Sequence, residues 1–118
     1  MPSRRIERIN DLIRSEISDL IAKELKDPRI TGMISVTEVD TSPDMRHAKV
    51  FVSIMGSEEE RKTVMNTLKH AAGFFRRELG ERMTTRRTPE LAFELDTSIE
   101  RGDRIMRLLR DIQQDQNA

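Results

Sequence analysis

Apolar residues recur at Ile6, Ile9, Ile13, Ile17, Leu20, Ile21 and Leu25, with Arg4, Arg5, Arg8 and Arg14 off that stripe. Steps of three and four residues mark one face of a helix, so the spacing predicts a long amphipathic helix from Ser3 to about Lys26. Lys26-Asp27-Pro28 ends it, because the residue before a proline is driven out of the α region. The period then falls to two. In Met33 to Val39, Ile34 and Val36 alternate with Ser35 and Thr37. After the turn formers Asp40-Thr41-Ser42-Pro43-Asp44, Ala48, Val50, Val52 and Ile54 alternate with Lys49, Phe51, Ser53 and Met55. This is an antiparallel hairpin with one buried face.

Gly56 closes the second strand, and Ser57-Glu58-Glu59-Glu60 has the S-x-x-E spacing of a capping box. The helix it opens has a stripe at Val64, Met65, Leu68, Ala71 and Ala72 that resumes in phase at Phe75, Leu79 and Met83. Gly73 interrupts that pattern. A glycine inside a helix costs about 1 kcal/mol relative to alanine, so a kink or a junction of two helices is expected at Ala71-Ala72-Gly73. Leu91, Phe93 and Leu95 alternate with Ala92, Glu94 and Asp96 as a third strand. Ile99, Ile105, Met106, Leu108, Leu109 and Ile112 suggest a last helix, weakened by Gly102. The order α-β-β-α-α-β, with an optional C-terminal helix, predicts an α+β domain whose three-stranded sheet is covered by helices on one face. It would span residues 1–112, followed by a polar, disordered tail over 113–118.

Length and composition fit one domain: 118 residues, 36% apolar and 36% charged. The absence of cysteine excludes disulfides, thiolate metal sites and thiol catalysis. No apolar run reaches the roughly 18 residues of a membrane span, and the M-P-S-R-R start has no apolar segment behind it. A cytoplasmic protein without membrane attachment is expected. Formal net charge is zero, yet the charge is polarised. Glu38 to Glu60 holds six acidic residues against Arg46 and Lys49. Lys69 to Arg87 holds Lys69, Arg76, Arg77, Arg82, Arg86 and Arg87 against Glu78 and Glu81.

Little in the chain suggests catalysis. His47 and His70 are the only histidines, and both read as structural or solvent-facing. No H-x-x-x-H, G-x-S-x-G or G-x-x-x-x-G-K-[ST] occurs. Asp40 and Asp44 could surround a magnesium ion in a small nuclease, but a strand-to-strand turn asks for aspartates anyway. Glu58 to Glu60 fit a helix N-terminus. A protein that is not an enzyme and holds no metal, cofactor or small-molecule substrate is the expectation. The basic run reads otherwise. Positive residues at both ends of a helix beginning at Gly73, a glycine that lets a phosphate approach, and the Arg4, Arg5, Arg8 group together point to a nucleic-acid backbone. The competing reading is a solvated charged face, or a protein–protein adaptor without RNA contact. With no Trp or Tyr, and Phe75 and Phe93 on apolar stripes, an open base-stacking platform is poorly supplied.

Motifs along most of the length resemble the bacterial ribosome-binding factor A family. They are R-I-N-x-x-I-R-x-E-I (Arg8 to Ile17), K-D-P-R (Lys26 to Arg29), S-V-T-E-V (Ser35 to Val39) and S-P-D-M-R-H-A-K-V-F-V-S (Ser42 to Ser53). A-A-G-F-F-R-R-E-L (Ala71 to Leu79), P-E-L-x-F (Pro89 to Phe93) and D-x-S-x-E-x-G (Asp96 to Gly102) complete the set. The resemblance implies a type II KH fold in which an Ala-x-Gly kink, here Ala71-Ala72-Gly73, replaces the usual G-x-x-G loop. It adds Ala71 to the RNA-binding candidates. It also implies a monomeric assembly factor that binds the free small (30S) ribosomal subunit and its 16S rRNA. Such a factor would assist late maturation, including formation of the 16S 5′ end region, and support growth in the cold.

Overall fold

A computed structural model of the chain describes residues 4–25, 33–83 and 87–117. The first stripe forms α1 (Arg4–Glu24), which buries Ile6, Ile9, Ile13, Ile17, Leu20 and Ile21. Its predicted stop at Lys26-Asp27-Pro28 lies outside the described residues. Strands β1 (Ile34–Thr41) and β2 (His47–Ile54) pair antiparallel, and β3 (Glu90–Leu95) pairs parallel to β2, giving the order β1-β2-β3. Between β2 and β3 run α2 (Glu58–His70) and α3 (Ala72–Arg82), and α4 (Ser98–Asn117) closes the chain. Helices α1, α2 and α3 supply one core with the inner sheet residues Val39, Ala48, Val50, Val52, Ile54, Leu91 and Phe93.

β1 runs two residues further than the alternation predicts, through Asp40 and Thr41, which pair with Lys49 and Ala48. A bulge at Thr37 makes this possible: Val36 opposes Val52 but Glu38 opposes Phe51, so one extra residue sits on β1. The bulge reverses which residues face inward. Before it Ile34 and Val36 pack on the core; after it Val39 and Thr41 are buried. Thr37 turns its hydroxyl to Asp96 Oδ2 at 2.6 Å and to the Phe51 carbonyl at 3.3 Å, fixing the bulge to the end of β3.

The capping box forms as expected: the Glu60 N–H donates to Ser57 Oγ, and the Ser57 N–H donates to Glu60 Oε1, each at 3.1 Å. Gly56 precedes it at φ +133, a backbone conformation that residues with a side chain rarely adopt, so the turn favours glycine. The helical break falls at Ala71 (φ −88, ψ 2), inside the expected junction, and Gly73 is itself helical. The last helix reaches Asn117, carrying into helical backbone most of the stretch that reads as a polar tail. Ile105, Met106, Leu108, Leu109 and Ile112 on α4 are exposed, and among the described residues α4 makes no extensive contact with another element.

Candidate nucleic-acid interface

The hairpin loop between β1 and β2 is held by its own side chains. The Ser42 hydroxyl donates to Asp44 Oδ1 at 2.6 Å, the Arg46 N–H donates to the same oxygen at 3.1 Å, and the His47 N–H donates to Ser42 Oγ at 3.1 Å. These donors, the Ser42 hydroxyl first and then the Arg46 amide, hold the Asp44 carboxyl below the usual carboxylate range. Met45 occupies the left-handed region at φ 61, and its buried side chain anchors that conformation. Asp44 therefore serves the turn, as its place between two strands suggests.

The loop presents Arg46 and His47 at the end of the sheet where β3 begins. The Glu90 N–H donates to the Arg46 carbonyl at 2.8 Å, and Glu90 stands opposite His47 in the parallel register. α3 brings Arg76 to the same place. Its Nε donates to the Thr88 carbonyl at 3.2 Å, and its Nη1 lies 3.9 Å from Glu90 Oε1. Gly80 permits that approach, since a Cβ there would lie 2.9 Å from Thr88 Oγ1. The result is a cleft of about 670 Å³ lined by Met45, Arg46, His47, Arg76, Arg87, Thr88 and Glu90. Three arginines and a histidine share the lining with the Glu90 carboxylate, and Arg46 Nε also lies 3.9 Å from Asp44 Oδ2.

The sequence-predicted basic residues divide. Arg76 and Arg87 line this cleft. Exposed Arg77 and Gly73 lie on the same side of α3 as Arg76, since successive residues turn by about 100°. Exposed Lys69 lies in the last turn of α2, and Ala71 forms the break between the two helices. Arg4, Arg5 and Arg8 are exposed on the first turns of α1. The Thr41 N–H donates to Asn10 Oδ1 at 2.9 Å, so the start of α1 lies at the loop end of the sheet. Arg86 is outside the described residues. Arg82 goes elsewhere: its Nη1 donates to Glu16 Oε2 and to Asp19 Oδ2, each at 2.8 Å, and its side chain is only 28% exposed. Nine residues from Gly73 is about 180° around the helix, which turns Arg82 toward α1. Glu16 and Asp19 raise the Arg82 pKa, and Arg82 with Lys23 lowers that of Asp19.

Arg46 and His47 escape a linear reading because they sit inside the stretch that sums as acidic. The only sequence signal was their adjacency at the start of a strand. His70 faces solvent with its ring Nδ1 2.7 Å from the Asn66 carbonyl. Among the described residues no group of three or more His, Asp or Glu could hold a metal ion, and no helix is long and apolar enough to cross a membrane.

An α-β-β-α-α-β chain, folded as a mixed three-stranded sheet with its helices on one face, is a KH-like domain of the second type, here with a cationic cleft at the sheet end. The ribosome-binding factor A family model matches residues 5–109. A ribosome-binding factor A of Acetivibrio thermocellus is 57% identical over 107 residues, covering 91% of this chain and 87% of the relative. The solution structure of a Thermotoga maritima protein superposes with a TM-score of 0.69 at 32% identity, covering 85% of this chain and 94% of that one. A homology model of the Thermus thermophilus ribosome binding factor A, fitted into a cryo-EM map of a 30S complex, is 26% identical with a TM-score of 0.54. It covers 73% of this chain and 93% of that one. The chain belongs to the ribosome-binding factor A family.

Proposed function

We propose that this protein is a non-enzymatic assembly factor of the cytoplasm that binds the free small ribosomal subunit by gripping 16S rRNA phosphates. It acts as a monomer, assists late maturation including formation of the 16S 5′ end region, supports growth in the cold, and leaves before translation. The observation that carries this reading is the meeting of Arg46, His47, Arg76 and Arg87 around one cleft in a chain of this family. Arginine offers paired donors that match phosphate oxygens, and cations from three chain segments define a surface rather than a stripe. Gly73, Arg77, Lys69 and the start of α1 extend the surface, and the Ala71 break leaves the first N–H groups of α3 without a side-chain cap. The Thermus relative fitted into a 30S complex supports the choice of partner.

The test is sedimentation of lysate on sucrose gradients at low and high salt, with and without ribonuclease. Comigration with free small subunits, absent from translating ribosomes and lost at high salt, is expected. A double Arg76→Glu, Arg77→Glu protein should leave the subunit peak while keeping its melting temperature. Retention of that double variant in the peak would reject the surface, and a parent protein found only at the top of every gradient would favour a protein–protein adaptor.

A further inference from the structure

The cleft contains its own anion. Glu90 opens β3, and its backbone N–H is fixed on the Arg46 carbonyl at 2.8 Å. Its two carboxylate oxygens point to different partners: Oε1 lies 3.9 Å from Arg76 Nη1 and Oε2 lies 3.6 Å from the His47 ring Nδ1. Both separations exceed the roughly 2.7–2.9 Å of a charge-assisted hydrogen bond. Arg82 on the same helix shows what a committed contact looks like, with 2.8 Å to each of two carboxylates and 28% exposure. The Glu90 side chain is 63% exposed. One arginine of α3 is locked to its carboxylates; the other faces a carboxylate that is near but unbonded.

We propose that the Glu90 carboxylate stands where an RNA phosphate binds, keeping the cleft's cations apart in the free protein and yielding its place when RNA docks, so that it limits affinity and favours release. The inference rests on the reading that this cleft takes rRNA phosphate. The arginines that line the cleft, Arg46, Arg76 and Arg87, repel one another; Asp44 Oδ2 stands 3.9 Å from Arg46 Nε, and Glu90 is the carboxylate within the lining, facing Arg76. Arg76 is aimed independently, because its Nε is held by the Thr88 carbonyl at 3.2 Å. Moving Glu90 therefore does not release the guanidinium. Exposed pairs at these distances are weak and screened by salt, so a phosphate with paired donors displaces the carboxylate at small cost. A residual cost persists, because the displaced carboxylate stays covalently close to the incoming phosphate. A factor that must leave a finished particle gains reversibility from that repulsion.

The experiment is equilibrium binding of the full chain to purified free small subunits at one moderate salt concentration. The proteins are the parent, Glu90→Gln, Glu90→Ala, Arg76→Gln and the double Arg76→Gln, Glu90→Gln. Arg76→Gln should bind more weakly. Both Glu90 variants should bind tighter by about 3- to 10-fold and dissociate more slowly, with unchanged melting temperatures because the side chain is exposed. The gain should fall below about twofold in the Arg76→Gln background, where the phosphate has lost its principal donor. Glu90 variants that bind like the parent, or more weakly because the carboxylate itself accepts hydrogen bonds from RNA, would overturn the proposal while leaving the cleft as the RNA surface. If Arg76→Gln binds like the parent, the cleft is outside the interface and the underlying reading fails with it.

Discussion

The most informative residues are those where packing and chemistry pull apart. Ile13 and Leu68 are almost fully buried at the meeting of helices and sheet. Truncating either to alanine should cost about 2–5 kcal/mol through the cavity left behind, a large share of a small domain's stability. Urea melts will measure it, and curves matching the parent for both variants would refute the core described. Gly73 is the opposite case. It is exposed and helical, and a Cβ there would meet nothing within 4 Å, so the fold has no need of glycine at this position. Gly73→Ala should therefore stabilise the protein by up to about 1 kcal/mol through helix propensity. If an rRNA phosphate lies against the start of α3, the same methyl group should weaken subunit binding. A variant that is more stable and yet binds normally would remove Gly73 from the interface.

At the scale of elements, much of the fold was legible because period and punctuation agree. The stripe of α1, the alternation of β2 and the Ser57–Glu60 box each stand in the sequence as they stand in the structure. The bulge at Thr37 was not legible. Its only trace is that Val39 breaks parity with Ile34 and Val36, which a turn beginning at Asp40 also explains. The helical run beyond Gln113 was hidden too, since it has no apolar stripe. The capping box allows a pH prediction. The Ser57 N–H, then its hydroxyl, lowers the Glu60 pKa, so the contribution is complete above the unfolded carboxyl's pKa and is lost as pH falls through the folded one. Ser57→Ala should cost about 1 kcal/mol at neutral pH. Glu60→Gln should shed part of the parent's loss of stability on acidification, measured by urea melts at about pH 7 and about pH 3. α4 makes a simpler case. Because its described residues make no extensive contact with another element, a chain ending at Thr97 should melt within a few degrees of the full protein, and a large drop would show that α4 supports the domain.

For the whole molecule, zero net charge is compatible with docking on a polyanion because the fold sorts charges that the sequence intermingles. The parallel pairing of β2 with β3 is the step that assembles the cleft, bringing Arg46 and His47 beside Glu90, Thr88 and Arg87 across some forty residues of chain. No local pattern specifies that pairing, which is why Arg76 and Arg87 could be read as candidates while Arg46 and His47 could not. Helical phase, by contrast, already separates Arg82 from Arg76. That separation yields a measurement. Each phosphate neutralised releases condensed counterions, so the logarithm of the binding constant should fall linearly with the logarithm of salt concentration. Removing one phosphate-contacting arginine lowers that slope by roughly 1, whereas removing an arginine committed to intramolecular carboxylates leaves it unchanged. Arg76→Gln should therefore bind small subunits with a shallower salt slope as well as lower affinity. Arg82→Gln should keep the parent slope and lose thermal stability instead, since Glu16 and Asp19 are left without their shared partner. Equal slopes for all three proteins would mean that the contact is not made by the cleft. A reduced slope for Arg82→Gln would mean that α3 leaves α1 when the protein binds, exposing a guanidinium that the free fold holds between two helices.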